Sequence, residues 1–369
     1  MTDKDYWLYL AKIKGLGSGR RKVLLEMLGS PEEVFKTSES LLRKIPLLED
    51  YQIDQILDCR KVDYEKEKDI ISRQGIGFVT TDEKEFPEKL RFIPDAPFFL
   101  FYKGLLPQDT IPSVAIVGSR KCSIYGREMC MKFSARLAGA GINIISGMAA
   151  GIDGFAHRGS LNAGGKTTAV LGCGVDICYP LLNRDIFDKL SEVNNQNGGI
   201  ISEYYPGERA FPFNFPQRNR IISGLADVVL VVEAGKKSGT FITVDHALEQ
   251  GKEVFAIPGR IGDNISDGCN CLIKNGASMA TEPEDIIETL KMRYKGLLAD
   301  EIKRKKNRAA GLGKEEKKVY ESLNSMPVQI NEISERTGME CGHLSQILIG
   351  LELRNLIEEV GKNIYIKKI

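Results

Sequence analysis

Six short, mostly apolar runs recur along the middle of this chain, at residues 113–118, 142–146, 167–172, 199–203, 228–233 and 253–257. They are continuous rather than alternating, the pattern of strands covered on both faces. Amphipathic stretches at about 124–139, 152–163, 181–194, 218–225 and 239–250 separate most of them and read as helices. Strand and helix in alternation predict an α/β fold, a Rossmann-like parallel sheet with helices on both sides. That architecture also says where to look for chemistry. In an open parallel sheet, ligands bind beyond the carboxyl ends of the strands.

Glycine-rich turns follow several of these runs. Val114-Ala115-Ile116-Val117 ends in Gly118-Ser119-Arg120, which offers a tight turn, a hydroxyl and a charged fork. The next run leads into Ser146-Gly147-Met148-Ala149-Ala150-Gly151, which exposes successive backbone N–H groups before a helix opening at Ile152. Asp153 suits the first helical turn as a dipole partner. His157 reads as a packing or hydrogen-bonding histidine, with a catalytic base as the alternative. Gly165-Lys166-Thr167-Thr168 superficially resembles the end of a P-loop, but it precedes a strand where that motif would precede a helix.

The segment Phe211-Pro212-Phe213-Asn214-Phe215-Pro216-Gln217-Arg218-Asn219-Arg220-Ile221-Ile222-Ser223-Gly224 is unlike core sequence. Arginine forks grip phosphates and aromatic faces stack on bases, so the mixture suits a single-stranded nucleic acid. The competing reading is a loop whose rings pack inward and whose arginines form structural ion pairs.

In this order, the glycine turns, Ala169-Val170-Leu171-Gly172-Cys173-Gly174-Val175-Asp176 with Tyr179-Pro180, the Arg218–Gly224 run, and Val228–Ala234 followed by Ser238-Gly239-Thr240 strongly resemble the DNA-processing protein A family (DprA, also called Smf). The resemblance is firm from about Ile76 to Ile287. It implies a protein that binds incoming single-stranded DNA during natural transformation, protects it and loads the RecA recombinase. It implies a homodimer through the Rossmann domain and a DNA-contacting role for Lys166. The expected DNA-binding set is Gly118, Ser119, Arg120, Gly147, Gly151, Lys166, Phe213, Phe215, Arg218, Asn219 and Arg220, with Arg120, Lys166, Arg218 and Arg220 gathered on one sheet edge. Gly268-Cys269-Asn270 and Phe86-Pro87 depart mildly from the family pattern.

No nucleophile–base pair, complete Walker motif or carboxylate cluster at metal spacing is visible, so no enzyme activity, cofactor or metal is expected. Asp176, Glu203 and Glu233, at strand ends, read as helix caps or arginine partners, with Mg²⁺ as the minor alternative. The alternative function is a nucleotide-binding enzyme of the lysine-decarboxylase-like phosphoribohydrolase type. Only Ser238-Gly239-Thr240 matches its loop, and no acid follows until Asp245.

Lys+Arg 51 against Asp+Glu 50 gives a net charge of +1, so nucleic-acid binding has to come from local clustering. Eight scattered cysteines without zinc spacing read as small core residues of a reduced, cytoplasmic protein. No apolar stretch approaches a membrane span.

The organisation expected is a helical, helix-hairpin-helix or SAM-like domain over 1–65, with a Gly15-Leu16-Gly17 turn. An extended Rossmann-like DNA-binding domain over 66–295, a basic linker over 296–314 and a winged-helix-like domain over 315–369 follow. The last lacks an Arg, Lys, Asn or Gln cluster at the start of its third helix, which favours protein contact over DNA reading.

Overall fold

The computed structural model describes residues 1–192, 195–294, 312–323, 327–354 and 356–367. Two compact units divide the chain, Met1–Leu290 and Lys291–Ile369. Residues 296–311 of the expected basic linker lie outside the described residues.

The first unit opens with helices α1 (Asp3–Lys12), α2 (Ser18–Leu28), α3 (Pro31–Lys36), α4 (Glu39–Leu42), α5 (Asp50–Cys59) and α6 (Tyr64–Arg73). Strands β1 (Gly77–Thr80) and β2 (Phe99–Gly104) flank the one-turn helix α7 (Glu88–Arg91). The alternating section then runs β3 (Ser113–Val117), α8 (Ile124–Ala138), β4 (Asn143–Ser146), α9 (Ile152–Asn162), β5 (Thr167–Val170), α10 (Arg184–Ser191) and β6 (Gly198–Ser202). It continues with α11 (Asn214–Leu225), β7 (Val228–Val231), α12 (Thr240–Glu249), β8 (Glu253–Ala256), α13 (Asp267–Lys274), β9 (Ser278–Met279) and α14 (Pro283–Arg293).

The nine strands form one sheet in the order β1-β2-β6-β5-β4-β3-β7-β8-β9. From β6 to β9 every pairing is parallel. The parallel sheet expected from the alternation is present, and each predicted strand lies at its place. The strands read at 76–80 and 98–102 extend the sheet as an antiparallel edge, β2 on β6 and β1 on β2. All five residues of β3 and all four of β4, β5 and β7 are buried, as continuous apolar runs require.

The amino-terminal helices share a core with the sheet. Trp7, Leu8, Tyr9, Leu10 and Ile13 belong to the same buried cluster as Phe99, Phe101, Ala169 and Ile200. Trp7 stacks on Phe98 and donates its indole N–H to Asp82 at 3.0 Å. The Arg21 guanidinium sits 4.8 Å above the Phe99 ring. Ser18 at the start of α2 donates to Asp95 at 2.8 Å, and Asp95 pairs with Arg220 of α11 at 3.2 Å. Arg220 in turn holds Glu203 at 2.7 Å, both nearly excluded from solvent. Burial works against the Arg220 charge, but Glu203 and Asp95 outweigh it and raise its pKa.

His157 of α9 is fully buried against β5. The Thr167 hydroxyl donates to the Ile144 carbonyl at 2.7 Å, so it accepts from His157 Nδ1 at 2.7 Å. That fixes the neutral Nδ1–H tautomer and leaves Nε2 buried without a partner. Protonation would put an unpaired cation there. Burial, with Arg158 and Arg218 adding to it, pulls the pKa down to about 3. The packing histidine is what the fold uses.

The second unit holds α15 (Lys314–Ser322), α16 (Ile330–Thr337) and α17 (Cys341–Leu353) with strands β10 (Val328–Gln329), β11 (Ile357–Gly361) and β12 (Ile364–Lys367). The expected three helices and hairpin are joined by the two-residue strand β10, giving a sheet ordered β10-β12-β11. Leu344, Leu348, Ile333, Val319 and Ile357 form its core. No helix among the described residues is long and apolar enough to cross a membrane.

Two stability predictions follow from these burials. Arg220→Ala leaves Glu203 buried and unpaired and should cost about 3–5 kcal/mol in urea unfolding, whereas a double Arg220→Met/Glu203→Leu variant should recover much of it. Between pH 6.5 and about 3 the unfolded chain binds a proton that folded His157 refuses. Its contribution is therefore complete above pH 6.5 and falls as acid is added, by up to about 1.4 kcal/mol per pH unit. Unfolding titrations at pH 7 and pH 5 should show a smaller pH loss in His157→Gln than in the parent.

Candidate nucleic-acid interface

Parallel pairing brings the loops after β3, β4, β5, β7 and β8 to one edge of the sheet. A cleft of about 560 Å³ opens there. One wall is Gly118, Ser119, Arg120 and Lys121, the opposite wall Ser238, Gly239, Thr240, Ile242 and Thr243, and the floor includes Asp153, Phe215, Arg218 and Asn219.

The loop after β3 is held from below. Ser119 N–H donates to the Glu233 carbonyl at 2.7 Å. The Glu233 carboxylate, itself buried, accepts from Ser123 N–H at 2.7 Å and Ser123 Oγ at 2.5 Å, at the start of α8. Glu233 thus caps a helix rather than facing the cleft. Gly151 has φ +74°, and a Cβ there would lie 2.3 Å from the Ser119 carbonyl. The loops after β3 and β4 can pack this closely only with glycine at that position.

Arg218 is buried, with 4% of its surface exposed. It donates to the Gly147 carbonyl at 2.6 Å and to the Val170 carbonyl, tying together the ends of β4 and β5. A Cβ on Gly147 would collide with its guanidinium at 2.6 Å. Its Nε donates to Asn219 Oδ1 at 3.2 Å. Burial lowers the Arg218 pKa and the nearby Asp153 opposes that. Burial likewise raises Asp153, against Arg218 and the Ala149 N–H.

Arg120 is different. It is exposed, its guanidinium lies 5.4 Å from the Phe215 ring, and no carboxylate pairs with it among the described residues. The Phe215 ring also has the Arg218 guanidinium at 5.9 Å and stacks on Tyr179 at 5.7 Å. The cleft therefore combines a cation free to bind an anion with a half-buried ring held by two guanidinium groups.

The expected set divides on this geometry. Gly118, Ser119, Arg120, Phe215, Arg218 and Asn219 line the cleft, and Gly147 and Gly151 lie outside the lining, packed against the Arg218 guanidinium and the Ser119 carbonyl. Lys166 does not join them. It precedes β5, so it stands at the amino end of a parallel strand, on the opposite edge of the sheet, exposed to solvent. Arg220 turns away into its pairs with Glu203 and Asp95. Phe213 stacks in parallel on Phe211, 5.5 Å apart, outside the cleft lining. Sequence reasoning left Asp153, Ile242, Thr243 and the wall Ser238–Thr240 out of the set. Ser238-Gly239-Thr240 was visible as a short polar stretch opening a helix after β7, where unpaired N–H groups collect.

Asp245, the acid nearest to a phosphoribohydrolase position, is exposed on α12 and does not line the cleft. Among the described residues no three His, Cys, Asp or Glu side chains converge to hold a metal ion.

Residues 77–291 match the family model of DNA recombination-mediator protein A, and residues 303–361 match that of the DprA winged helix domain. The DNA processing protein DprA of Streptococcus pneumoniae is 46% identical over 202 residues, 55% of this chain and 70% of the relative. Protein Smf of Synechocystis is 35% identical over 297 residues, 78% of this chain and 73% of the relative. The crystal structure of the S. pneumoniae protein superposes with a TM-score of 0.65 at 35% identity, covering 78% of this chain and 98% of that one. DNA processing protein A from Helicobacter pylori, described for its single-stranded DNA binding mode, superposes with a TM-score of 0.52 at 29% identity, covering 60% of this chain and 99% of that one. With its sheet, its second unit and its sequence all matched, the chain belongs to the DNA recombination-mediator protein A (DprA) family.

Proposed function

We propose that this protein holds single-stranded DNA in the cleft without turning it over, and that it serves natural transformation in the cytoplasm by protecting incoming strands and loading RecA. The observation that carries the binding role is Arg120, an exposed guanidinium set over the Phe215 ring with no carboxylate partner among the described residues. A cation beside a stacking ring matches a phosphate beside a base. The non-catalytic role is supported by Glu233 being committed to capping α8 and by Asp245 lying off the cleft. RecA loading and a homodimer through the Rossmann domain are carried over from the family. Leu248, exposed on α12 outside the cleft lining, supports a partner there.

Arg120→Ala should weaken single-strand binding for all sequences alike and flatten the logarithmic salt slope by about 0.7, one phosphate's share. Phe215→Ala should cost on the order of 1–3 kcal/mol with little change in slope. Lys166→Ala should leave both unaltered. Fluorescence anisotropy across a salt series reads all three, and an Arg120→Ala protein that folds and binds normally would falsify the site.

Sedimentation of the full chain tests the dimer. A strict monomer at micromolar concentration overturns it, and Leu248→Arg should shift a dimer toward monomer.

A further inference from the structure

The cleft occupies only part of the sheet edge. In spatial order the adjoining strands are β5, β4, β3, β7 and β8. Four steps of about 4.8 Å make their carboxyl ends span roughly 19 Å. The two ends of that edge differ in chemistry. On the β5 side, Tyr179 is half exposed and stacks outward from Phe215 with an interplanar angle of 26°. Beyond the opposite wall, Lys237 is exposed in the loop after β7, immediately before cleft-lining Ser238. Arg260 is exposed in the loop after β8.

These loops are fixed to one another. Tyr125, at the start of α8, donates its hydroxyl to the Pro258 carbonyl at 3.0 Å. The Gly268 N–H donates to the Ala234 carbonyl at 2.8 Å. Neighbouring charges are already engaged. Lys236 pairs with Asp267 at 3.4 Å, and Asp263 accepts from the Ile265 N–H at 3.3 Å. Lys237 and Arg260 have no ion-pair partner among the described residues. The edge thus has stacking rings at one end, the Arg120 cation in the middle and two further cations at the other.

We propose that the cleft is the middle of a longer strand track, in which Tyr179 stacks a base beyond Phe215 while Lys237 and Arg260 take phosphates on the β8 side. This rests on the single-strand reading of the cleft. At about 3.4 Å per stacked nucleotide, the edge accommodates roughly five or six nucleotides, more than the cleft alone.

Binding of the full chain to thymidine oligonucleotides of graded length tests this. The parent protein should gain affinity up to about six nucleotides. Lys237→Ala/Arg260→Ala should match the parent on the shortest oligonucleotides, stop gaining length for length earlier, and show a salt slope flatter by about 1.4 on the longest. Tyr179→Ala should lose on the order of ten- to a hundredfold with the slope unchanged, and Tyr179→Phe should restore binding because the ring alone stacks. If both variants track the parent at every length, the track is wrong while the cleft stands. If the parent binds no oligonucleotide, the cleft reading and the track fall together. Circular dichroism on each variant separates lost binding from lost folding.

Discussion

A guanidinium that keeps its charge is buried where two parallel strands end. Arg218 sits among the carbonyls of Gly147 and Val170, and this placement fixes the loops that make the cleft. Carbonyl oxygens beyond a parallel strand have no ladder partner, so they need a donor or water. Arg218 supplies two such donors from one side chain. Gly147 must lack a Cβ for the guanidinium to enter, and Asp153 offsets part of the cost of keeping the charge inside. Both carbonyls are served by Nη1 while Nε reaches Asn219 Oδ1, so an Arg-to-Lys exchange would lose the third of these bonds and the planar geometry that holds them together.

Two residues later the same helix turns its second arginine the other way. Arg220 reaches Asp95 and Glu203, and Asp95 receives the Ser18 hydroxyl from α2. Helix α11 therefore connects the floor of the cleft with the amino-terminal helices. The aromatic–arginine segment is in large part scaffold. Its contribution to the cleft lining includes the half-buried Phe215 with Arg218 and Asn219, and the exposed cation beside that ring comes from β3's loop as Arg120.

Much of the fold was legible because it depends on burial, and burial leaves a pattern. The continuous runs in β3, β4, β5 and β7 read as doubly covered strands, and the glycines after them fall at the carboxyl edge where the cleft opens. The β10 strand was invisible, since two residues carry no period. The site was harder to read for a different reason. Arg218, Arg220 and Arg120 have the same chemistry on paper, and only the structure tells which guanidinium is already satisfied. Lys166 was read onto the same sheet edge as Arg120, although its position just before a strand puts it at the amino end. His157 could be read because a histidine one turn into a helix facing the sheet has little access to solvent.

A net charge of +1 does not fix how charge is distributed around the cleft. Around the cleft the carboxylates are not free acids. Glu233 accepts two hydrogen bonds from Ser123, Glu203 is matched to Arg220, and Asp153 takes the Ala149 N–H beside Arg218. Each is engaged by a partner within the protein, whereas Arg120 faces solvent with no carboxylate partner among the described residues. The same commitments bear on chemistry. A general acid or base has to reach a reacting atom, and Glu233 is held beneath the β3 loop while Asp245 points away on α12. What remains facing the cleft are the hydroxyls of Ser119, Ser238 and Thr240, the Phe215 ring, the Arg120 cation and Asp153, whose carboxylate is engaged by the Ala149 N–H beside Arg218.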